Sequence, residues 1–316
     1  MQILRNTSFN FLKWRWHAMA ASLIVLVAGF GQIVAQDGLR LGVDFSGGTA
    51  LIIRFAQPVT EDAVRTALVP IPGDKTVQQL GAEADHQLLI RLPQLVAVEE
   101  GTSLDDAAEQ VDTLLRAANL GDFTRESTEI VGPVVGRELQ QKGIYATLTA
   151  LAGIMIYIGF RFRFTFAAGA VIATFHDLLV TLVMLNWFGH ELSLNIVAAL
   201  LAMTGYSVND TIVIFDRVRE NSRMLRRIPL TDVVNTSVNQ TLGRTVITSG
   251  TTFVAVLGLY LFGGEVLNGF AFTMLVGVIS GTYSSIFIAA AIAILLTREP
   301  PRPAASGGSK RARAKA

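Results

Sequence analysis

Apolar residues concentrate in six long runs along the chain, and one long polar stretch separates the first run from the second. Each run has about 18 residues or more, and a helix rising about 1.5 Å per residue then crosses the ~30 Å hydrocarbon core of a bilayer. The predicted membrane helices are residues 17–35, 143–160, 164–188, 192–215, 245–262 and 269–297. The pattern therefore indicates a polytopic α-helical membrane protein with six transmembrane helices.

The polar stretch, residues 36–141, has the alternation and turn signals of a mixed α+β domain. Strands are predicted at residues 49–55, 76–80, 86–92 and 123–131. Thr60 begins a helix between the first two strands, and Thr102 or Ser103 caps a second helix before the last strand. Because the order β-α-β-β-α-β is that of a split βαβ unit, we predict a ferredoxin-like domain here.

Composition agrees with this division into membrane helices and a soluble insert. Of the 316 residues, 51% are hydrophobic and 16% are charged, and the mean hydropathy is +0.47. The chain has no cysteine, which excludes disulfides and thiolate metal sites. It also lacks the motifs for ATP, zinc and serine-hydrolase chemistry. We therefore expect no enzymatic activity, cofactor, metal ion or nucleic-acid partner.

The distribution of Lys and Arg predicts the orientation in the membrane. Three Lys or Arg residues precede residue 17, two lie at Arg161 and Arg163, six lie in 217–244 and six follow residue 297. The short loops 189–191 and 263–268 contain no Lys or Arg. By the positive-inside rule, the basic segments lie in the cytoplasm. Both termini are then cytoplasmic, and the α+β domain is periplasmic.

Three segments outside the membrane complete the predicted organisation. Residues 1–16 form the cytoplasmic N-terminus, and the basic tail 298–316 is predicted to be disordered. Residues 216–244 have apolar side chains at helical spacing among polar ones, which indicates an amphipathic helix along the cytoplasmic surface. A solvated loop is the alternative for this connection.

Asp210 is a carboxylic acid inside the fourth apolar run. An ionised carboxylate at membrane depth costs about 2.5–3.5 kcal/mol on insertion scales, so it requires a partner or a function. Arg244 begins the fifth run at a matching depth, and a guanidinium there can compensate the acid. We interpret Asp210 and Arg244 as a proton-responsive pair. In the alternative interpretation, Arg244 anchors its helix at the interface and Asp210 is a structural hydrogen-bonding group.

Further polar groups lie within the predicted membrane helices. On the fifth helix, Thr241, Arg244, Thr248 and Thr251 share one face by helical spacing. His176 and Asp177 are adjacent near the middle of the third helix, about 100° apart around its axis, so they need not touch. The candidate auxiliary sites are Asp177, Thr204, Ser207, Asn209 and Thr248.

Two glycine motifs predict close approaches of the backbone. Gly277 to Gly281 form a G-x-x-x-G on the sixth helix, which favours close packing against a neighbouring helix. Gly47 and Gly48 end the segment Gly-Val-Asp-Phe-Ser-Gly-Gly between the first helix and the first strand, where positive φ angles allow a tight turn. The candidate hinge residues there are Asp44, Phe45, Gly47 and Gly48.

Four motifs together resemble the SecF branch of the SecD/SecF family of protein-export membrane proteins, which belongs to the RND superfamily. They are residues 42–48, 131–136, 160–163 and 207–221, and the resemblance is weakest between residues 55 and 129. The resemblance implies an RND-type half with SecD as partner, beside the SecYEG channel and with YajC and YidC as further partners, in the lipid of the bacterial inner membrane. It also implies that the proton motive force drives export of unfolded polypeptide, with Asp210 and Arg244 conducting protons.

Three other functions remain open on the sequence. Half of an RND-type transporter for small molecules or lipids is the first, and it would also need a partner half. An intramembrane aspartyl protease is the second, because Asp177 and Asp210 lie on neighbouring predicted helices, although the G-x-G-D context is missing at both. A pure scaffold is the third, and it predicts that Asp210→Asn has no effect.

Overall fold

The structure is a computed structural model, and it describes residues 7–71, 75–80, 83–92, 104–225 and 227–297. Within these residues, six helices are long and apolar enough to cross a membrane. They are α1 (Arg15–Ala35), α5 (Pro133–Arg161), α6 (Phe164–Trp187), α7 (Leu194–Met224), α8 (Leu230–Phe262) and α9 (Gly264–Ser284). Helix α9 continues through a π-helical turn (Ser285–Ala289) into α10 (Ala290–Leu296). The predicted polytopic architecture is therefore confirmed.

The segment between α1 and α5 folds as a small α+β domain. Its elements are α2 (Val43–Ser46), β1 (Gly48–Phe55), α3 (Glu61–Ala67), β2 (Thr76–Leu80), β3 (Gln87–Leu92), α4 (Leu104–Ala117) and β4 (Phe123–Val131). The strands pair antiparallel in the order β2-β3-β1-β4. This topology is that of the ferredoxin-like split βαβ unit, as predicted.

The core of this domain lies between the sheet and its two helices. Leu51 and Ile53 alternate along β1 and are fully buried against Val111 and Leu115 of α4. Thr60 caps α3, as predicted, because its Oγ1 accepts a hydrogen bond of 3.3 Å from the backbone N–H of Ala63. The predicted cap of α4 at Thr102 or Ser103 and the basic tail 298–316 lie outside the described residues.

Several helices extend beyond the apolar runs that predicted them. Helix α5 begins at Pro133, ten residues before the predicted start at 143, and its first turns are polar. Proline at the first helical position is favourable because its missing N–H would have no partner inside the helix. Hydropathy marks where a chain enters the bilayer, and a helix can begin before that point.

The structure differs from the predicted surface helix within 216–244. Helix α7 continues to Met224, and α8 already begins at Leu230, so this connection consists of the ends of two long helices. Its apolar face packs inside the bundle, in one core cluster that includes Phe215, Val218, Val233, Val234 and Val238. An amphipathic pattern indicates a face that needs covering, and here another helix covers it instead of the membrane surface.

Helix α9 lies at the centre of the bundle and packs against α6, α7 and α8. A Cβ atom built on Gly277 would lie 2.7 Å from Met203 Cβ, and one on Gly281 would lie 2.9 Å from Ser207 Cβ, both on α7. The predicted close packing at the G-x-x-x-G motif is therefore confirmed. This close approach brings the polar side chains of α7 and α9 within hydrogen-bonding distance.

Candidate functional site

Asp210 is buried in α7, with 3% of its surface exposed, where α8 and α9 pack against it. Ser249 of α8 donates a hydrogen bond of 3.2 Å to Asp210 Oδ2, and the neighbouring Thr248 also interacts with this carboxyl group. The Ser249 hydroxyl shares a second hydrogen bond of 2.8 Å with Thr282 of α9. Asp210 is therefore bound mainly through one face of α8.

Arg244 is exposed on the outer side of α8 and does not touch Asp210 directly. Among the residues that the structure describes, it makes no ion pair within 4.0 Å, although its positive charge acts on the Asp210 carboxyl group. The buried face of α8 beside α7 and α9 carries Thr245 and Ser249. Of the expected face, Thr241 is buried and Thr248 interacts with the Asp210 carboxyl group. Arg244 and Thr251 are exposed, because the buried face is shifted towards Thr245 and Ser249, by about one residue or 100° around the helix. The direct pair of Asp210 and Arg244 stays a prediction.

Asp177 of α6 is fully buried and accepts hydrogen bonds from side chains of three helices. Its donors are Ser207 of α7 at 2.6 Å, Ser280 of α9 at 2.7 Å, Ser284 of α9 at 2.6 Å and His176 Nδ1 at 3.1 Å. Both carboxylate oxygens have two partners each. Three serine hydroxyl groups and one imidazole therefore surround the Asp177 carboxyl group with a full set of hydrogen-bond partners.

The predicted auxiliary residues have different positions in this arrangement. Ser207 joins the Asp177 network, whereas the Thr204 hydroxyl donates to the carbonyl of Leu200 in its own helix at 2.7 Å. Asn209 is exposed on the outer face of α7. Of the candidates on α7, the structure therefore brings Ser207 together with Asp177 and leaves Asn209 exposed.

A hydroxyl-rich part of α9, residues 280–284, lies between the two buried acids, and Ser285 follows it. Ser280 and Ser284 bind Asp177, Thr282 binds Ser249, and Ser285 shares a hydrogen bond of 2.7 Å with Thr211 of α7. Thr282 and the serines therefore connect α9 to both acid sites. The G-x-x-x-G motif predicts only close packing here, and the signal for the hydrogen bonds is the set of hydroxyl side chains on successive turns, Ser280, Thr282, Ser284 and Ser285.

The π-helical turn of the sixth membrane helix begins at Ser285, directly after this segment. A π-turn rotates the following residues relative to a regular α-helix, and such turns are frequent at functional sites. Here the turn lies beside the buried acids.

The predicted hinge adopts the expected backbone conformation. Gly47 has φ of 74° and Gly48 has φ of 122°, so both adopt the positive φ angles that glycine tolerates. Phe45 is buried, and a Cβ atom on Gly136 of α5 would lie 3.3 Å from its carbonyl oxygen. The predicted tight turn is confirmed, and it packs against the start of α5.

The hinge is bound directly to the first turn of α7, the helix that carries Asp210. Asp44 Oδ2 accepts a hydrogen bond of 2.8 Å from the backbone N–H of Leu194. Backbone bonds of 2.8 Å also join Gly42 to Leu192 and Leu192 to Arg40. A carboxylate at a helix N-terminus interacts favourably with the helix dipole. Asp44 therefore connects the α+β domain to α7.

A second connection joins the domain to the loop before α7. Arg91 of β3 forms an ion pair with Glu191, and both side chains are largely buried. Burial lowers the pKa of Arg91 to about 10, so its guanidinium stays charged at neutral pH. His190 precedes Glu191, and its ring lies 4.4 Å from the ring of Phe272 in α9.

Comparisons with known proteins agree across most of the chain. Residues 110–299 match the family "Protein export membrane protein SecD/SecF, C-terminal", and residues 33–59 match the "SecD/SecF GG Motif". The chain is 42% identical to the protein translocase subunit SecF of Pseudomonas aeruginosa, over 92% of each chain. It is 41% identical to SecF of Escherichia coli O157:H7, over 91% of this chain and 88% of the relative.

Solved structures of related proteins have the same fold. The crystal structure of SecDF, a translocon-associated membrane protein from Thermus thermophilus, is 35% identical, with a TM-score of 0.82. SecDF in its Super-membrane-facing form gives a TM-score of 0.67. Each alignment covers 93% of this chain and 39% of the SecDF chain, which is therefore much longer.

Proposed function

The chain belongs to the SecD/SecF family of protein-export membrane proteins, and from this premise we propose how it contributes to export. It is a multi-pass membrane protein and a subunit of the Sec protein-export machinery, which works with SecD. We propose that Asp210 couples the proton motive force to the late steps of polypeptide translocation. The half-transporter for small molecules or lipids is not favoured by these relatives.

The weakly bound carboxyl group of Asp210 is the observation that carries this proposal. It is buried, its hydrogen bond from Ser249 is 3.2 Å long, and the charge of Arg244 lies nearby without an ion pair. An ionised form is then stabilised incompletely, and protonation can change which side chains bind this carboxyl group. Moving one charge through 100 mV provides about 2.3 kcal/mol, which is enough for a modest helix shift.

In the proposed cycle, ionised Asp210 attracts Arg244 and protonated Asp210 releases it. Helix α8 then rotates or slides relative to α7, since Thr245 and Ser249 face the bundle in this structure while Arg244 faces outwards. Thr245 lies about 100° from Arg244 around the helix, so a moderate rotation of α8 would turn Arg244 towards the bundle in place of Thr245.

Transmission to the α+β domain follows the contacts at the start of α7. Asp44 binds the N–H of Leu194, and Arg91 pairs with Glu191, so a displacement of α7 acts on β1 and β3 of the domain. We propose that the domain is periplasmic and holds emerging unfolded polypeptide, and that both chain termini are cytoplasmic.

The partner surface is proposed from polar groups at membrane depth. Asn209 and Arg244 are exposed on α7 and α8 in this chain alone, and neither side chain is favourable against lipid tails. We propose that the membrane helices of SecD cover them. SecYEG, with YajC and YidC, is the proposed wider assembly in the bacterial inner membrane.

Proton-gradient-driven export in membrane vesicles tests the role of Asp210. Asp210→Asn removes ionisation at nearly constant shape, and we expect gradient-dependent export to fall to the rate without a gradient. Asp216→Asn is the matched control, because this exposed residue lies on the same helix and pairs with Arg161. A normal gradient-dependent rate in Asp210→Asn, with the protein present in normal amounts, would exclude the proposal.

A further inference from the structure

A cavity of about 570 Å³ lies at the end of the bundle opposite the α+β domain. It is bordered by the loop between α5 and α6 and by the last turns of α7. Its basic lining consists of Arg161, Arg163, Arg219 and Arg223, and its apolar lining includes Phe160, Phe162, Phe166 and Phe215. We propose that this cavity binds the phosphate headgroup of an anionic phospholipid such as phosphatidylglycerol.

Two of the cavity's arginines, Arg163 and Arg219, have no carboxylate partner among the described residues. Arg161 pairs with Asp216 at 2.7 Å, but Arg163 and Arg219 make no ion pair within 4.0 Å in the part of the chain that the structure describes. A guanidinium binds phosphate oxygens through two parallel N–H groups, which makes arginine well suited to phosphate. A bound phosphate would therefore supply the missing negative charge.

The start of α6 borders the same cavity, because Arg163 and Phe166 both line it. Arg163 is the N-cap residue of this 24-residue helix, and within the described structure no side chain caps it. The first N–H groups of a helix have no acceptor inside the helix, and they favour an anion there. This feature supports the site that the arginines and the cavity define.

The apolar part of the site indicates a lipid instead of a free anion. Phe160 is 91% exposed and Phe164 is 84% exposed, directly beside the arginines. The membrane-spanning part of α5 ends at Arg161, so these rings lie at the boundary of the bilayer. A lipid has both an anionic headgroup and acyl chains, and basic pockets between membrane helices at this depth suit such headgroups.

Lipid binding to the purified full-length protein in detergent tests the site. Binding of phosphatidylglycerol and of phosphatidylcholine would be titrated separately by native mass spectrometry. We expect the double variant Arg163→Gln/Arg219→Gln to weaken phosphatidylglycerol binding about tenfold or more, because two charge-assisted contacts are lost. Phosphatidylcholine should bind weakly and equally to both proteins. Arg227→Gln is the control, since Arg227 is exposed near the same end of the bundle and does not line the cavity.

Several results would overturn the proposal. Equal weakening in Arg227→Gln would indicate diffuse surface charge, and displacement of the lipid by inorganic phosphate at equal concentration would indicate a free-phosphate site. Displacement by an acidic peptide at equal concentration would indicate a peptide site.

Thermal unfolding shows whether each variant is folded. If the double variant unfolds, Arg219→Lys keeps the charge without the planar fork and should weaken binding about threefold, whereas unchanged binding would oppose the site.

Discussion

Asp177 and Asp210 are both buried acids within the membrane helices, but their surroundings differ greatly. Asp177 accepts four hydrogen bonds, three of them from serines at 2.6–2.7 Å, and its donors come from α6, α7 and α9. Asp210 is bound by α8 through Ser249 at 3.2 Å, with Thr248 beside it. The same residue type therefore has a complete set of donors in one place and a weak set in the other.

This difference indicates two different roles. Short hydrogen bonds reach both oxygens of Asp177 from neighbouring helices, so this residue is suited to hold α6, α7 and α9 together. Asp210 lies on the other side of the hydroxyl-rich part of α9 and can change its partners at lower free-energy cost. Burial alone thus does not distinguish the two acids, whereas the number and geometry of their hydrogen-bond donors do.

Removing the Asp177 carboxyl group should have the largest effect on stability. Asp177→Ala removes the acceptor that Ser207, Ser280 and Ser284 share, and we expect a loss of about 3–5 kcal/mol in the free energy of unfolding. Thermal unfolding of the purified protein in detergent measures this loss. Asp210→Asn should lower the unfolding temperature much less while abolishing gradient-dependent export. Equal destabilisation by both substitutions would contradict the distinction between the two acids.

A methyl group at the contact of α7 with α9 should have a smaller effect. The Cβ atom of Gly281→Ala would lie 2.9 Å from Ser207 Cβ, so the two helices must move apart next to Asp177. Such overpacking costs about 1–3 kcal/mol, and the unfolding temperature should fall accordingly. Gly205→Ala on α7 is the control, because no described residue outside its own helix turn lies within 4 Å of the added Cβ, and alanine is the better helix former. A neutral Gly281→Ala would show that the Asp177 region is not tightly packed.

Much of the fold could be predicted because it depends on local patterns. Apolar length identified the six membrane helices, and alternation in the polar stretch gave the four strands and Thr60 as a cap. The glycines at 47–48 also adopt the predicted turn. Each of these features is determined by residues close together in the chain.

The arrangement around the acids depends on how helices rotate against each other, which a single sequence does not specify. The rotation of α8 about its axis decides that Ser249 and not Arg244 contacts Asp210, and a change of about 100°, the angle between neighbouring residues, would alter this contact. The donors of Asp177 come from serines about 30 and 100 residues away, so no local pattern connects them. For the same reason, an amphipathic pattern in 230–238 could not distinguish a neighbouring helix from the membrane surface.

His190 is a titratable group outside the membrane helices, and its substitution should have the smallest effect on stability. Burial lowers its pKa below the usual 6.5, so the folded protein binds this proton less readily than the unfolded chain. Its contribution to stability is therefore complete above about pH 6.5 and decreases as the pH falls from there towards its folded-state pKa.

His190→Gln should remove this dependence of stability on pH. The difference in unfolding temperature between the native protein and the variant should change by about 2 °C between pH 7.5 and 5.5. Thermal unfolding of both proteins across this range measures it, and other titrating groups cancel in the difference. Phe272 should remain packed in the variant, because its contacts with Phe188 and Tyr260 do not involve His190. Since His190 directly precedes Glu191, a pH-dependent difference would show that protonation weakens the loop at the junction with the α+β domain. Parallel curves for the two proteins would instead show that protonation of His190 does not affect the stability of this junction.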